Sequence, residues 1–582
     1  MNSNKLIVLG QKNFLEIVLF LILFTYVILR AYFVFYIHDE LATKYGYMID
    51  WNPFPFTGYI DANNHLLNSV LGGLFFRVFQ SDHLLIIRLS SILAFPIFFW
   101  SLVGFKRYFK SNFTYFLFLT LLSCNQFIVE YFSLSRGYAM AWAFMLFAIL
   151  MTFHYQFRQE RKHFYWALLA WIISYSANLS LIPMALIGCG FLFFVTLLAK
   201  QYDHLKWGSL ALLPFGFAVY YSFHLKSLGK LYLGSAENFI DTSIAPMLKL
   251  AYELTAADST IISIGAILFG VMVALSFSSR IKHFQPGNIF YLFFLAFVAL
   301  LFSQNWLIGI NFPEDRAAMP LLLLSLASIP FMLDNFKSKY FVILLLSANL
   351  LAFCAKVNLS HSETWSYEHF DHELSTKIPL KTNGTPSSVG GRFWQIDNEL
   401  SRTFNYPARI FQNAILEKDT LMDYIIQMEE LRPNIKNTYH IIHKDPISNL
   451  CLFERNTFLK RTKTVEKETK INGAERFYNF MPKIPAYPAF IRCQGTIENI
   501  TIQDNYLIIF TAEDSITGEK FEYGGINPIS TCHQNENGSI SFDFTYTMNQ
   551  YPSSAKITCY LYNNQLHQIK GTIRTEVYKI EF

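Results

Sequence analysis

The sequence predicts a multi-pass α-helical membrane protein with a water-exposed C-terminal region, and three observations predict it. Of the 582 residues, 53% are hydrophobic and only 15% are charged, whereas an ordinary soluble domain is about a quarter charged. From residue 13 to about 357 the apolar residues form one long run after another. From about 358 onward the chain reads as a polar, folded protein.

A helix needs roughly 20 mostly apolar residues to cross a bilayer. Runs of that length, or close to it, lie at 14–36, 83–104, 113–131, 137–154, 164–177, 180–199, 208–224, 260–279, 289–306, 317–334 and 340–356, about eleven crossings. The run 164–177 is short and could merge with its neighbour. The first run is too long for a cleaved signal peptide, and no small-residue cleavage site follows it.

Orientation follows from Lys and Arg in the short loops. Lys5, Lys12, Lys106-Arg107-Tyr108-Phe109-Lys110, Arg158 to Lys162, Lys200, Lys206, Arg280, Lys282, Lys337 and Lys339 all fall on one face, the cytoplasm, if 65–80 does not cross. The loops 37–82, 130–136, 225–259 and 307–316, and everything after 357, then lie outside. The protein is expected in the inner (plasma) membrane.

Between 37 and 82 the chain is too polar for lipid, yet it interleaves Trp51, Phe54, Phe56 and Tyr59 with Pro53, Pro55 and Gly58. Aromatics of this kind sit at headgroup level. The stretch 65–80 has one apolar face with polar interruptions and reads as a surface helix, with a re-entrant segment as the alternative.

The chain divides into a membrane domain (1–357), a small α/β region (358–458) and an antiparallel β-sandwich (459–582). Within the α/β region, 416–433 has helical periodicity, while 438–443 and 450–455 read as strands. The last region has short alternating runs such as NYLIIFTA, SISFDFTYT, KITCYLY and TEVYKIEF, separated by turn residues.

Cys124, Cys189 and Cys354 lie within apolar runs and read as packing residues. Cys451, Cys493, Cys532 and Cys559 fall in the external part, where disulfides are allowed. Their spacing does not fix a pairing, and the lack of a CxxC argues against structural zinc. The net charge of +5 is small and dispersed, so no nucleic-acid partner is expected.

Ionised groups gather at the outer ends of the runs, where their cost points to function. Asp39 and Glu40 follow the first run. On a continuous helix adjacent residues point about 100° apart, so the two converge only if the helix ends there. Asn64 is placed to cap the surface helix, and His65 to bind a metal or phosphate or to carry a proton. Arg136 and Tyr138 open a later run, with Glu130 six residues earlier. Arg316, after Glu314 and Asp315, starts another run, where the helix dipole also favours an anion. Arg30 and Arg88 need partners, for which Asp39, Glu314 and Asp315 are the candidates. Guanidinium groups bind phosphate through paired hydrogen bonds, and a carboxylate accepts a proton from an attacking hydroxyl. A phosphate-bearing substrate at membrane depth implies a lipid carrier. Transfer from a lipid phosphate to an acceptor hydroxyl therefore fits these parts.

Over about 14–356 the sequence resembles the GT-C class of membrane glycosyltransferases that use polyprenyl-phosphate sugars, nearest the protein O-mannosyltransferases and lipid A aminoarabinose transferases (glycosyltransferase family 39-like). Four stretches carry the likeness: Asp39-Glu40 after the first run, the polar turn and surface helix from Asn63, Arg136-Gly137-Tyr138, and Arg316 with Pro320. The resemblance implies that Asp39 is the base or orients the acceptor, and that Glu40 holds the acceptor or a metal. It implies that Arg136, Arg316 and Tyr138 bind the donor phosphate, with His65, Asn64, Glu314 and Asp315 near sugar or acceptor. The reaction implied inverts the anomeric carbon. Many relatives have Lys or Pro-Pro where this chain has Asn63-Asn64-His65-Leu66. That leaves open the sugar and any divalent metal, for which Asp39, Glu40 and His65 are the possible ligands. The partners expected are a polyprenyl-phosphate donor, a glycan, lipid or protein acceptor, and the bilayer. A transporter or flippase, or a non-catalytic envelope-polysaccharide assembly protein, is the alternative.

Overall fold

A computed structural model describes residues 13–582 except 50, 57–59, 232–237, 253–285, 335–338, 372–373, 375, 383, 394–395, 397, 401–410, 414–420, 432–434, 436, 481–487, 500–505, 527–532, 535–538, 550, 553–554, 564–565 and 582. The expected crossing at 260–279 and Cys532 lie outside the described residues. The chain forms two compact units, one of Met1–Phe35 with Gly46–Thr364 and the other of Tyr36–Tyr45 with Trp365–Phe582.

The first unit is helical. Among the described residues, eight helices are long and apolar enough to cross a membrane: Phe14–Phe33, Leu89–Tyr108, Gly137–Arg158, Leu179–Leu198, Tyr202–Ser227, Ile289–Ile308, Asp315–Leu333 and Lys339–Lys356. The expected run 113–131 is a pair, Asn112–Ser123 and Gln126–Ser133, bent by 52°. Asn125 causes the break: its backbone is extended and its side chain accepts from Ile128 N, so it starts a new helix. The short run 164–177 becomes the helix Arg161–Ala177, 17 residues long. Leu66–Phe79 has 14 residues, about 21 Å of helix, too short for a core of about 30 Å. Arg77 ties it to the loop before it, donating to Met48 O and Ile49 O at 2.8 and 3.0 Å and lying 4.4 Å over the Trp51 ring.

The phenylalanines fill this unit. Phe105, Phe118, Phe153, Phe290 and Phe331 form one aromatic cluster, with Phe105 5.3 Å from both Phe153 and Phe290. Polar contacts sort its loops into two sets. At one end Lys106 pairs with the buried Glu16 at 2.5 Å, and Asp334 accepts from Lys110 N and Ser111 N. At the other, Tyr26 meets Gln126, Arg30 meets Glu130, and Arg88 donates to the carbonyls of Ala31, Val34 and Phe35.

In the second unit the short helix His38–Thr43 packs with the C-terminal region. Lys44 and Glu399 form a buried ion pair at 2.7 Å, and Tyr45 donates to the same carboxylate at 2.5 Å. A mixed sheet follows in the order Phe411–Asn413, Val389–Gly391, Tyr424–Met428, Leu450–Arg455, Tyr439–Lys444. The helix expected within 416–433 is corrected here: residues 424–428 are the central strand, parallel to one neighbour and antiparallel to the other. Tyr424, Ile425 and Ile426 are buried on both faces. A strand covered on both sides shows a continuous apolar run, which short helices also show.

The final region has two antiparallel sheets. One runs His533–Gln534, Ile540–Met548, Ala489–Glu498, Ile569–Glu581, Lys460–Gly473; the other runs Lys520–Ile526, Tyr506–Asp514, Ala555–Asn563, Phe477–Asn479. Both contribute to one buried core, which includes Ile491, Phe544 and Val577 from the first and Ile508, Phe510 and Leu561 from the second. The buried pair Arg461–Asp423, at 2.8 Å, joins this region to the mixed sheet.

Candidate functional site

The first unit gathers two arginines on one tyrosine. The chain leaves the bent helix pair through the turn Tyr131–Ser133 and becomes extended at Leu134. Ser135 donates to Ile87 O at 3.0 Å, and Asn68 of the helix Leu66–Phe79 donates to Ser135 O at 3.1 Å. Ser91 donates to Arg136 O at 3.3 Å, so the backbone is held at Arg136 as well as at Ser135. Gly137 is required by close packing. A Cβ there would lie 2.0 Å from Ala177 O and 2.7 Å from the His65 Cβ. The helix Tyr138–Arg158 starts directly after it.

Arg136 is wholly buried and donates to Asn63 Oδ1 at 2.5 Å. Arg316 donates from Nε to the Tyr138 hydroxyl at 3.2 Å. The two guanidinium carbons stand 5.9 and 6.0 Å from the centre of the Tyr138 ring. Tyr138 is fixed by His65 at 4.8 Å, Tyr131 at 5.3 Å and Trp142 at 5.9 Å between ring centres. Two guanidinium groups thus border the same ring, and guanidinium groups suit an anion such as phosphate.

Arg316 lies in the single turn Asp315–Ala318, which leads into the helix Met319–Leu333 with Pro320 in its first turn. Asp315 adopts a left-handed backbone with φ 47°, a conformation uncommon for a residue with a Cβ. Ser243 holds the approach by donating to Pro313 O at 2.5 Å. Glu314 is exposed and Asp315 half-buried. Two residues upstream of Glu314, Phe312 joins Phe239, Phe302 and Trp306 in lining a cavity of about 780 Å³.

Asn64 does not cap the surface helix; His65 takes that position. The Asn64 side chain instead donates to Pro53 O at 2.9 Å and accepts from Ser69 at 2.8 Å, which fixes the loop. The partner expected for Arg30 is also corrected. Arg30 pairs with Glu130 at 3.2 Å and donates to Asn358 O and His361 O. Glu130, expected near Arg136, also accepts from Ser362, Glu363 N and Thr364 N. It clamps the segment that follows the last apolar helix. Arg88 donates to carbonyls that the first helix leaves open at its end.

Asp39 and Glu40 belong to the second unit. The first helix ends at Phe33, Ile37 is extended, and a new helix begins at His38. Glu40 is fully buried and accepts from Ile37 N at 3.4 Å. Asp39 is buried, with Oδ1 3.2 Å from His38 Nε2. His38 Nδ1 hydrogen-bonds Glu368, whose second oxygen accepts from His38 N at 2.8 Å. Burial alone lowers the His38 pKa, but the hydrogen bonds to Asp39 and Glu368 outweigh it and raise the value to about 9. The result is a carboxylate–imidazolium–carboxylate chain.

Among the described residues no group of three or more His, Cys, Asp or Glu side chains is gathered as a metal would need. His65 packs against an aromatic ring, and Glu40 serves its own helix start, so no step is routed through a metal.

Sequence reading missed Asn63, Tyr131 and Glu368 as site residues. Asn63 stood next to the asparagine chosen instead, and Tyr131 was hidden in an apolar run. Glu368 is 330 residues from His38 and left no local signal.

No family model and no curated protein matches the chain. Among solved structures, the arabinosyltransferase EmbB from Mycobacterium smegmatis is similar at 12% identity and TM-score 0.34, covering 97% of this chain. ArnT from Cupriavidus metallidurans, bound to undecaprenyl phosphate, is similar at 10% identity and TM-score 0.43, covering 76% of this chain and 98% of its own. The arabinofuranosyltransferase AftD from Mycobacteria, as the R1389S mutant, is similar at 9% identity and TM-score 0.36. The chain spans 64% of EmbB and 61% of AftD. Likenesses this remote bear on neither activity nor substrate, which must come from the side chains.

Proposed function

We propose that this chain is a membrane glycosyltransferase that moves a sugar from a polyprenyl-phosphate donor to an acceptor hydroxyl on the extracytoplasmic side. The observation that carries the reading is the convergence of Arg136 and Arg316 on Tyr138. That end of the unit is opposite the one where Lys106 and Lys110 lie. A phosphate diester held there has its tail free to remain in lipid. The aromatic cavity near Phe312 offers an apolar surface for such a tail.

In the proposed reaction the acceptor oxygen attacks the anomeric carbon, and the bond from that carbon to the phosphate oxygen breaks. The carbon inverts in this single displacement. The acceptor proton passes to Asp39, and polyprenyl phosphate leaves with its new charge held by the two arginines. A phosphate leaving group needs little acid help. Asp39 is assigned as base from its position in the sequence and from its own surroundings: His38 Nε2 lies 3.2 Å from its Oδ1 and orients it. His65, Glu314 and Asp315 are assigned to sugar and acceptor hydroxyls, and Asn64 to the loop that presents His65. Glu40 sets the start of the helix that carries Asp39.

The test uses protein reconstituted in vesicles with a labelled polyprenyl-phosphate sugar and a panel of hydroxyl acceptors. Wild type transfers the label, and Asp39→Asn loses transfer by at least about 100-fold, the scale of a general base. Full activity in Asp39→Asn removes the base assignment.

A further inference from the structure

Cys493 lies in the strand Ala489–Glu498 of the five-stranded sheet, and Cys559 in Ala555–Asn563 of the four-stranded sheet. Both are fully buried in the core that the two sheets share. The strand register places Phe544 beside Cys493 and Phe510 beside Cys559. Those two phenylalanines meet across the core, edge to face, with ring centres 6.1 Å apart. The cysteines next to them therefore lie on facing strands of opposite sheets, with Cys493 a neighbour of Cys559 in the shared core.

We propose that Cys493 and Cys559 form a disulfide that joins the two sheets of the C-terminal domain. This rests on the reading that the domain lies outside the cytoplasm, where disulfides persist. Neighbouring thiols on facing strands of two packed sheets are the arrangement from which such a bond closes. The oxidant is a protein disulfide of the extracytoplasmic oxidising system. One cysteine thiolate attacks that disulfide and forms a mixed disulfide. The second thiolate then displaces the oxidant, which departs as a dithiol carrying the electron pair and the two protons. Burial and the neighbouring Cys493 push the Cys559 thiol well above its ordinary pKa, so exchange belongs to folding, before the core closes. Once closed, the bond is shielded from reductants. Cys451 is buried in the other sheet, where its thiol contacts Asn449 O at 3.7 Å, and is expected to remain a thiol.

The full chain, purified from membranes without reductant, is alkylated in denaturant, digested and analysed by mass spectrometry. The expected result is a joined peptide pair at Cys493–Cys559, lighter by two hydrogens than the separate peptides, that survives Cys532→Ser. In parallel, Ile516→Cys, at a position 86% exposed, reports the compartment through a membrane-impermeant maleimide on whole cells. If that probe is labelled from outside while Cys493 and Cys559 both carry the alkylating group, the disulfide is overturned and the topology stands. If the probe is reached only from inside, the topology reading fails. The pairing is then judged by refolding the purified chain with oxidised glutathione: a Cys493–Cys559 link supports it, and its absence overturns it.

Discussion

Tyr138 is the shared neighbour of two arginines: its ring faces both guanidinium groups and its hydroxyl accepts from one of them. Lysine keeps the charge but loses the planar fork. Arg136→Lys and Arg316→Lys are therefore each expected to raise the donor KM about 10- to 100-fold, the loss of one or two charged hydrogen bonds, as read in steady-state kinetics. Gly137→Ala drives a methyl into Ala177 O and His65. It is expected to abolish donor binding while the chain still reaches the membrane, as checked by immunoblot beside a binding assay. His38 supplies a pH signature. Its folded pKa of about 9 lies above the ordinary 6.5, so its stabilisation is complete below pH 6.5 and is lost as pH rises through 9. Thermal unfolding followed across that window is expected to show a decline that Glu368→Gln reduces, the Asp39 contact remaining. The arginines and tyrosine were legible because an ionised group at a membrane boundary is costly and conspicuous. The choice between Asn63 and Asn64, the use of Glu130 by Arg30, and the role of Glu368 were not, because each depends on which distant chain arrives.

At the scale of elements, periodicity found the helices of the first unit and most strands of the second. It failed where burial or charge hid the pattern. The strand Tyr424–Met428 is covered on both faces and lost its alternation. The strand Lys460–Gly473 is half charged and forms the edge of its sheet, and edges carry lysines that discourage further pairing. The bent pair 112–133 read as one crossing because Asn125 and Gln126 are only a brief polar interruption of an apolar run. The ion pair between Arg30 and Glu130 fastens the end of the first helix to this bent element, and both side chains are wholly buried. Removing one partner strands the other charge, so Glu130→Ala is expected to cost about 3–5 kcal/mol of stability, seen as a lower thermal midpoint in detergent. A double replacement, Arg30→Met with Glu130→Gln, is expected to recover part of that loss, because the glutamine oxygen still accepts from Ser362 and Thr364 N.

Across the whole molecule the charge pattern of the loops and the polar contacts agree. Residues placed together by the Lys/Arg count meet at one end of the helical unit, and Arg30, Arg88, Arg136 and Arg316 gather with their partners at the other. Charge bias marks two ends that the contacts of Lys106, Lys110 and these arginines also distinguish. It could not reveal that Tyr36–Tyr45 packs with the C-terminal region, since Lys44 and Glu399 are 355 residues apart. The central claim is that the arginine pair recognises a lipid-borne phosphate. It is tested most directly by measuring binding of a polyprenyl phosphate and of the matching polyprenol to purified protein by native mass spectrometry. The account predicts that the phosphate binds, that the alcohol does not, and that Arg136→Gln and Arg316→Gln each lose the difference. Equal binding of the two lipids, or an unchanged preference in both variants, would contradict it.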